Sequence, residues 1–231
     1  MSLKRRTTRG LSYLISYTWS KAMDAGCDGY FGVEGCRVQN PYDPGSAYSV
    51  AGFDLTNDLT ASWDYALPFG RGQQFATGSR PIDFVIGGWH LNGIATFHSG
   101  IPYSVAYSGD VANTGNNIQM PNLVGNPKLA DPTTTEWINT SAFEAPAPYT
   151  WGNVGRNTLR SEGLVNFDLS VFRDFHISES KRIEFRAEAF NVFNHPTWNS
   201  PDATVNSPNF GTVTSTSSTA RELQFGAKLY F

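Results

Sequence analysis

The sequence predicts an all-β fold, an antiparallel up-and-down meander of about seven long strands. Three observations support this prediction. Apolar and polar side chains alternate over long segments, no segment has a convincing helical period, and short connections alternate with long ones. Charged residues make up only 16% of the 231 residues and aromatic residues 14%. Such a composition favours a β-rich chain that faces something other than water.

The predicted strands follow one another along the whole chain. They cover residues 2–6, 11–21, 59–67, 86–107, 164–175, 182–193 and 221–231. Their apolar rows begin with Leu11, Tyr13, Ile15, Tyr17 and Trp19, and end with Leu223, Phe225, Ala227, Leu229 and Phe231. Most strands have about 9 to 13 residues, which is long for a soluble sheet and suits a tilted strand that crosses a membrane.

Two segments need a separate argument. Residues 86–107 form a single strand only with a kink at residues 99–102, where Gly100 and Pro102 interrupt the ladder. Residues 137–143 have room for one short helical turn at most. With this assignment every strand reverses the direction of the one before it.

The connections between the predicted strands alternate in length. Residues 7–10 and 176–180 are tight turns, and residues 68–85 form a connection of middle length. The three long loops are residues 24–54, 108–162 and 194–219. Barrels of bacterial outer membranes have short periplasmic turns and long extracellular loops, so we expect all three long loops to lie outside the cell.

Composition and motifs exclude several classes of protein. The net charge of −3 leaves no basic surface for nucleic acid, and two cysteines cannot build a disulfide scaffold or a four-cysteine zinc site. No nucleophile elbow accompanies the Ser, His and Asp residues, and the spacing of Asp24, Asp28 and Glu34 does not match an EF-hand. We therefore expect no enzyme activity, cofactor or metal.

Two sets of side chains are candidates for a role in the fold or in transport. Cys27 and Cys36 share the first long loop, where a disulfide would contribute about 2–3 kcal/mol in an oxidising envelope. Two free thiols are the alternative. The second set is a charged row of alternating positions, expected to face the lumen as a ladder of cross-strand pairs or to guide a substrate. The row consists of Arg182, Glu184, Arg186 and Glu188.

Histidines and loop aromatics have plainer interpretations. His90 and His98 lie on the same face of one predicted strand. Eight residues of a strand span about 26 Å, so the two imidazoles are too far apart to bind one metal ion. Both are therefore expected to be polar residues that face the lumen. Four aromatic side chains in the longest loop either pack that loop on itself or contact a ligand. They are Trp137, Phe143, Tyr149 and Trp151.

Short motifs connect this sequence to a known family. Five occur in order: YTWSKAMD at 17–24, LPFGRG at 67–72, GGWHLNG at 87–93, SGIP at 99–102 and FRAEAFNVFNH at 185–195. Leu223, Phe225, Leu229 and Phe231 look like the C-terminal strand that the barrel-assembly machinery reads in outer-membrane proteins. The chain resembles the C-terminal barrel of TonB-dependent outer-membrane receptors, in particular the Oar-like branch with a carboxypeptidase-regulatory-like domain.

The resemblance implies a barrel of about 22 strands in the outer membrane of a Gram-negative bacterium. Such a receptor takes up a scarce nutrient, with energy that TonB relays through an N-terminal plug. Residues 1–231 supply about seven strands and no plug, so we expect the C-terminal part of a longer protein. Expected partners are outer-membrane lipid, the barrel-assembly machinery, an unknown nutrient and, only through the missing plug, TonB.

Two alternatives remain from the residues alone. A soluble or surface β-sandwich could bind carbohydrate through exposed aromatics, and it would bury Trp19, Trp63, Trp89 and Phe225 in an internal core. A small autonomous barrel of eight strands is the second, but it needs a further strand. In the receptor interpretation these four side chains face lipid.

Overall fold

The computed structural model describes residues 1–8, 10–25, 38–40, 42–70, 72–76, 78–115, 117–178 and 181–231. Seven long strands form one antiparallel sheet, in which each strand pairs with the next in the chain. The seven-strand meander predicted from the sequence is therefore confirmed. The strands are β1 (Ser2–Thr8), β2 (Leu11–Trp19), β3 (Asn57–Ala66), β4 (Trp89–His98), β5 (Leu164–His176), β6 (Arg182–Phe190) and β7 (Glu222–Tyr230).

The remaining elements are short and lie in the connections. They comprise helix α1 (Arg80–Ile86) and the 3-10 helices Pro44–Ala47 and Thr140–Ala142. Four pairs of two-residue strands accompany them: Met23–Asp24 with Ser49–Val50, Pro102–Tyr103 with Leu159–Arg160, Tyr107–Ser108 with Ile118–Gln119, and Asn122–Leu123 with Phe143–Glu144. Among the described residues, no helix is long and apolar enough to cross a membrane.

The prediction of one kinked strand over residues 86–107 is wrong. Strand β4 ends at His98, and Pro102–Tyr103 pairs with Leu159–Arg160 outside the main sheet. Between the two, the backbone of Gly100 packs so closely on residue 161 that an added Cβ would overlap the carbonyl oxygen of Ser161. The expectation that no segment is helical is also wrong, because α1 precedes β4; the single turn allowed within residues 137–143 is present as a 3-10 helix.

The strand register gives the sheet one apolar and one polar face. From β2 to β7 every paired residue faces a partner of the same parity, as Asp64 faces Asn92 and Asn92 faces Ser170. Odd-numbered residues therefore share one face across six strands, and even-numbered residues share the other. Arg173 is a charged exception on the apolar face, and Ile94 is an apolar exception on the polar face.

The apolar face packs through contacts between neighbouring strands. The indole of Trp63 in β3 covers Gly93 in β4, where an added Cβ would overlap the ring. Phe97 meets Phe167 edge to face, with 5.2 Å between ring centroids. No second long-stranded sheet covers this face in the described part of the chain. Phe225, for example, is 71% exposed, which is unlike the interior of a β-sandwich.

The compact hydrophobic core lies in the long connections rather than on the sheet. The connections 20–56, 99–163 and 191–221 leave the same end of the sheet because the strands alternate in direction. We refer to the described residues of these three connections as the loop cap. Its buried core consists of Val105, Ile138, Ala142, Phe143, Val154 and Leu159.

Candidate functional site

A buried ion pair joins the first two connections of the loop cap. Asp54 is 1% exposed and accepts a 2.5 Å hydrogen bond on Oδ2 from Nη2 of Arg160. Nη1 of Arg160 donates to the backbone oxygens of Asp54 at 3.2 Å and Gly100 at 2.9 Å. The N–H of Ala22 and the hydroxyl of Thr56 complete the carboxylate shell at 2.6 Å and 2.9 Å. A buried carboxylate with this many donors is fixed as an anion.

The surroundings of Asp54 set its protonation state. Burial by itself raises the pKa of this carboxyl. The hydrogen bonds from Arg160, Ala22 and Thr56, together with the charge of Arg160, outweigh burial and hold the pKa below its usual range. The Asp54 carboxyl therefore stays ionised at neutral pH.

A second set of polar contacts lies beside the first. Arg156 forms an ion pair with Asp24, and its Nε donates to the backbone oxygen of Ala47 at 3.2 Å. Nδ2 of the neighbouring Asn157 donates to the backbone oxygen of Val50 at 2.8 Å. Residues 156–160 thus hold Asp24 and residues 47–54 of the first connection against the second.

The third connection is attached to the second by backbone bonds. The N–H of Ala106 donates to the oxygen of Ala203, and the N–H of Val205 donates back to Ala106, both at 2.8 Å. The N–H of Trp198 donates to Oε2 of Glu162 at 2.7 Å. The three connections consequently form one packed unit at this end of the sheet.

Asn191 closes the third connection onto the sheet. It is buried, has a φ of 48°, and its Nδ2 donates to the backbone oxygen of Thr219 at 2.9 Å. Its Oδ1 accepts from the N–H of His195, and its own N–H donates to Oδ1 of Asp168, both at 2.9 Å. Asparagine tolerates this left-handed conformation better than most residues, which explains its place directly after β6.

The loop cap contains a cavity of about 600 Å³. Tyr103, Trp137, Lys128, Asn157 and Arg160 are among the residues that line it. Burial raises the pKa of Tyr103, and its hydroxyl has no hydrogen-bond partner among the described residues. Aromatic surface with a few convergent polar and cationic groups is typical of a binding site for a small polar molecule.

The four aromatic residues predicted to pack the long loop divide into two groups. Phe143 is part of the buried core, Trp137 packs against that core, and Phe143 meets Phe210 at 5.7 Å between ring centroids. Tyr149 and Trp151 are exposed. Packing of the loop on itself is therefore confirmed for Phe143 and Trp137, and contact of Tyr149 and Trp151 with a ligand stays a prediction.

The predicted charged row lies on the polar face of β6. Arg186 pairs with Glu184 at 2.8 Å and with Glu188 at 3.6 Å, so these ion pairs run along the strand. Arg182 forms the cross-strand pair, with Asp174 of β5 at 3.6 Å. The expected ladder of cross-strand pairs is thus only partly formed, because a long arginine reaches residues two positions away on its own strand.

The two histidines of β4 lie on the same polar face. His90 stacks on Phe172 at 4.8 Å between ring centroids, and its Nδ1 lies 3.8 Å from Oδ1 of Asp64. Nδ1 of His98 lies 2.9 Å from the backbone oxygen of Ser99. In the described ranges, no three His, Cys, Asp or Glu side chains come together as a metal site.

Two sets of predicted residues remain, those of the C-terminal strand and the two cysteines. Leu223, Phe225 and Leu229 are exposed on the apolar face of β7, and Phe231 follows that strand, also exposed. Cys27 and Cys36 fall outside the described residues.

Sequence reasoning missed the residues that hold the loop cap together. Asp54 and Arg160 lie 106 positions apart and in no motif, and Asn191, although it lies in the motif at 185–195, bonds to Thr219, 28 positions further on. Their location along the chain is the one feature by which the sequence could have indicated them. Each lies within a few residues of a long strand, in a long connection.

Comparisons with known proteins agree with this architecture. The family model described as outer membrane beta barrel domain matches residues 1–224. No curated protein and no solved structure matches the chain.

Proposed function

The chain belongs to the outer membrane beta barrel domain family, and on this premise we propose that it is the C-terminal barrel part of a TonB-dependent receptor that takes up a scarce nutrient. The five motifs of the receptor resemblance support the proposal. Each of them lies where a sheet strand meets its connection.

The two faces of the sheet suggest its orientation in the outer membrane. We assign the apolar face to lipid and the polar face, with Arg182, Glu184, Arg186 and Glu188, to the barrel lumen. The loop cap then lies at the extracellular end, where a nutrient arrives. The short turns lie at the periplasmic end.

The cavity of the loop cap is our candidate for nutrient contact. Lys128 supplies positive charge and Trp137 an aromatic surface, whereas the charge of Arg160 is already paired with Asp54. These groups suit a polar or anionic small molecule, whether a metal-chelating compound, an oligosaccharide or a peptide. The role we propose is binding and passage, without catalysis.

The proposed function includes three further partners. β7 and Phe231 present alternating apolar side chains to the barrel-assembly machinery. TonB acts through a plug domain of the intact receptor. The remaining strands of an approximately 22-stranded barrel pair with the outer edges of β1 and β7.

A growth experiment tests this proposal. A strain without the gene for this chain is compared with its parent on ferric siderophores, oligosaccharides and peptides supplied singly as the limiting nutrient. We expect a growth defect on one nutrient, and the same defect in a strain that lacks TonB. Growth equal to the parent on every nutrient, or a defect that does not depend on TonB, would contradict the proposal.

A further inference from the structure

Helix α1 rests against the apolar face of the sheet, at the end opposite the loop cap. Phe84 of the helix lies 5.9 Å from Phe175 of β5, measured between ring centroids. Phe175 has odd parity and so belongs to the apolar face. The helix thus lies beside the face assigned to lipid, and not across the mouth of the lumen.

Arg173 attaches the end of the helix to that face. This arginine is 6% exposed, and its Nη1 donates to the backbone oxygen of Val85 at 2.7 Å. Nε1 of Trp89 donates to the same oxygen at 2.9 Å. The guanidinium carbon lies 4.4 Å from the ring centroid of Phe175 and 5.3 Å from that of Phe84. Arg173 can remain charged on an apolar surface because these rings and this carbonyl surround it.

Two glycines approach closely in the connection that carries α1. Gly70 and Gly87 approach so closely that a Cβ on Gly70 would lie 2.5 Å from the Cα of Gly87. The N–H of Gly87 donates to the oxygen of Asp83 at 2.9 Å and ends the helix. The LPFGRG and GGWHLNG motifs therefore meet here and set the position of α1.

Helix α1 exposes three large apolar side chains. Ile82 is 50% exposed, Phe84 60% and Val85 64%. Three large apolar side chains on one short helix are costly to keep in water, and this patch is continuous with the apolar face through Phe84 and Phe175.

We propose that α1 is a lipid-contacting helix at the periplasmic boundary of the outer membrane. Ile82, Phe84 and Val85 contact phospholipid acyl chains, as the apolar face of an interfacial helix does. Arg173 acts as a positioning residue that keeps the helix on the lipid side. The inference rests on the orientation given under the proposed function.

Photo-crosslinking in the outer membrane of a Gram-negative host that produces the full chain tests the proposal. Three variants each carry p-benzoylphenylalanine in place of one phenylalanine, at Phe84, at Phe225 on the apolar face of β7, or at Phe172 on the polar face of β5. Mass spectrometry measures the phospholipid adduct after irradiation. We expect similar yields at Phe84 and Phe225, and a yield about tenfold lower at Phe172, because the sheet separates that side chain from lipid.

The controls separate two kinds of failure. Adducts at Phe225 without adducts at Phe84, or adducts of Phe84 with a protein, would overturn the role of α1 and leave the lipid-facing sheet intact. Equal yields at Phe225 and Phe172 would overturn the orientation itself, and the inference with it. If the Phe84 variant does not assemble, the same label at Val85, the most exposed of the three, decides the question by the same comparison.

Discussion

Asp54 and Arg160 form a buried ion pair across 106 positions of sequence, with 2.5 Å between Oδ2 and Nη2. The pair fixes the first long connection of the loop cap to the second. Removing one partner of such a pair leaves the other charge buried without compensation, which usually costs more than the pair contributes when intact. The stability of the loop cap should therefore depend on Arg160 more than on any surface arginine.

We expect Arg160→Met to destabilise the loop cap by about 1.5–3 kcal/mol, since the buried carboxylate of Asp54 then keeps only the donors of Ala22 and Thr56. The urea dependence of loop-cap cleavage by thermolysin measures this change. Arg182→Met is the matched control. Arg182 pairs with Asp174 at 3.6 Å on a partly exposed surface, where a loss below about 1 kcal/mol is expected. Equal losses in the two variants would contradict the role of the buried pair.

The depressed pKa of Asp54 predicts a loop cap that loosens in acid. A carboxyl whose pKa is lower in the folded than in the unfolded state contributes stability fully above the unfolded value, about 4. That contribution is lost as the pH falls through the folded pKa. The urea concentration at the midpoint of unfolding, followed by tryptophan fluorescence, should therefore fall as the pH drops below about 4. In Asp54→Asn the fall should be shallower, and identical profiles for the two proteins would contradict the prediction.

The seven-strand meander could be predicted from the sequence because its two faces meet different surroundings. That difference imposes a period of two on every strand from Leu11 to Tyr230. Helix α1 could not be predicted because its seven residues, Arg80–Ile86, are too few to show a helical period. The helix is held in place by contacts with Arg173, which is distant in sequence. The packing of the loop cap could not be predicted for a related reason. Hydrogen bonds between residues that are distant in sequence leave no pattern in neighbouring positions.

Because β3 and β4 pack closely, replacement of two glycines of the sheet by alanine should change the stability of the protein by different amounts. Gly93→Ala should destabilise the protein by about 1–3 kcal/mol, because the new methyl group overlaps the indole of Trp63. Gly226→Ala in β7 is the control, since nothing lies within 4 Å of an added Cβ there. Its effect should stay within about 0.5 kcal/mol. Urea unfolding in detergent, followed by tryptophan fluorescence, compares the two, and a Gly93 variant as stable as the Gly226 variant would exclude this packing.

Asn191 combines a left-handed backbone with side-chain bonds that close the third connection, and two substitutions separate these contributions. Asn191→Gly keeps the φ of 48° accessible but removes the bonds to Thr219 and His195, so a loss of about 1–3 kcal/mol is expected. Asn191→Ala adds a further loss of about 1 kcal/mol, because a Cβ disfavours this conformation. Amide hydrogen exchange in residues 195–220 should therefore speed up in the order wild type, Gly, Ala. If the Ala and Gly variants exchange equally fast, backbone strain contributes nothing here, and if both match the wild type, the third connection is held by its bonds to the second connection, such as those of Ala106 and Glu162.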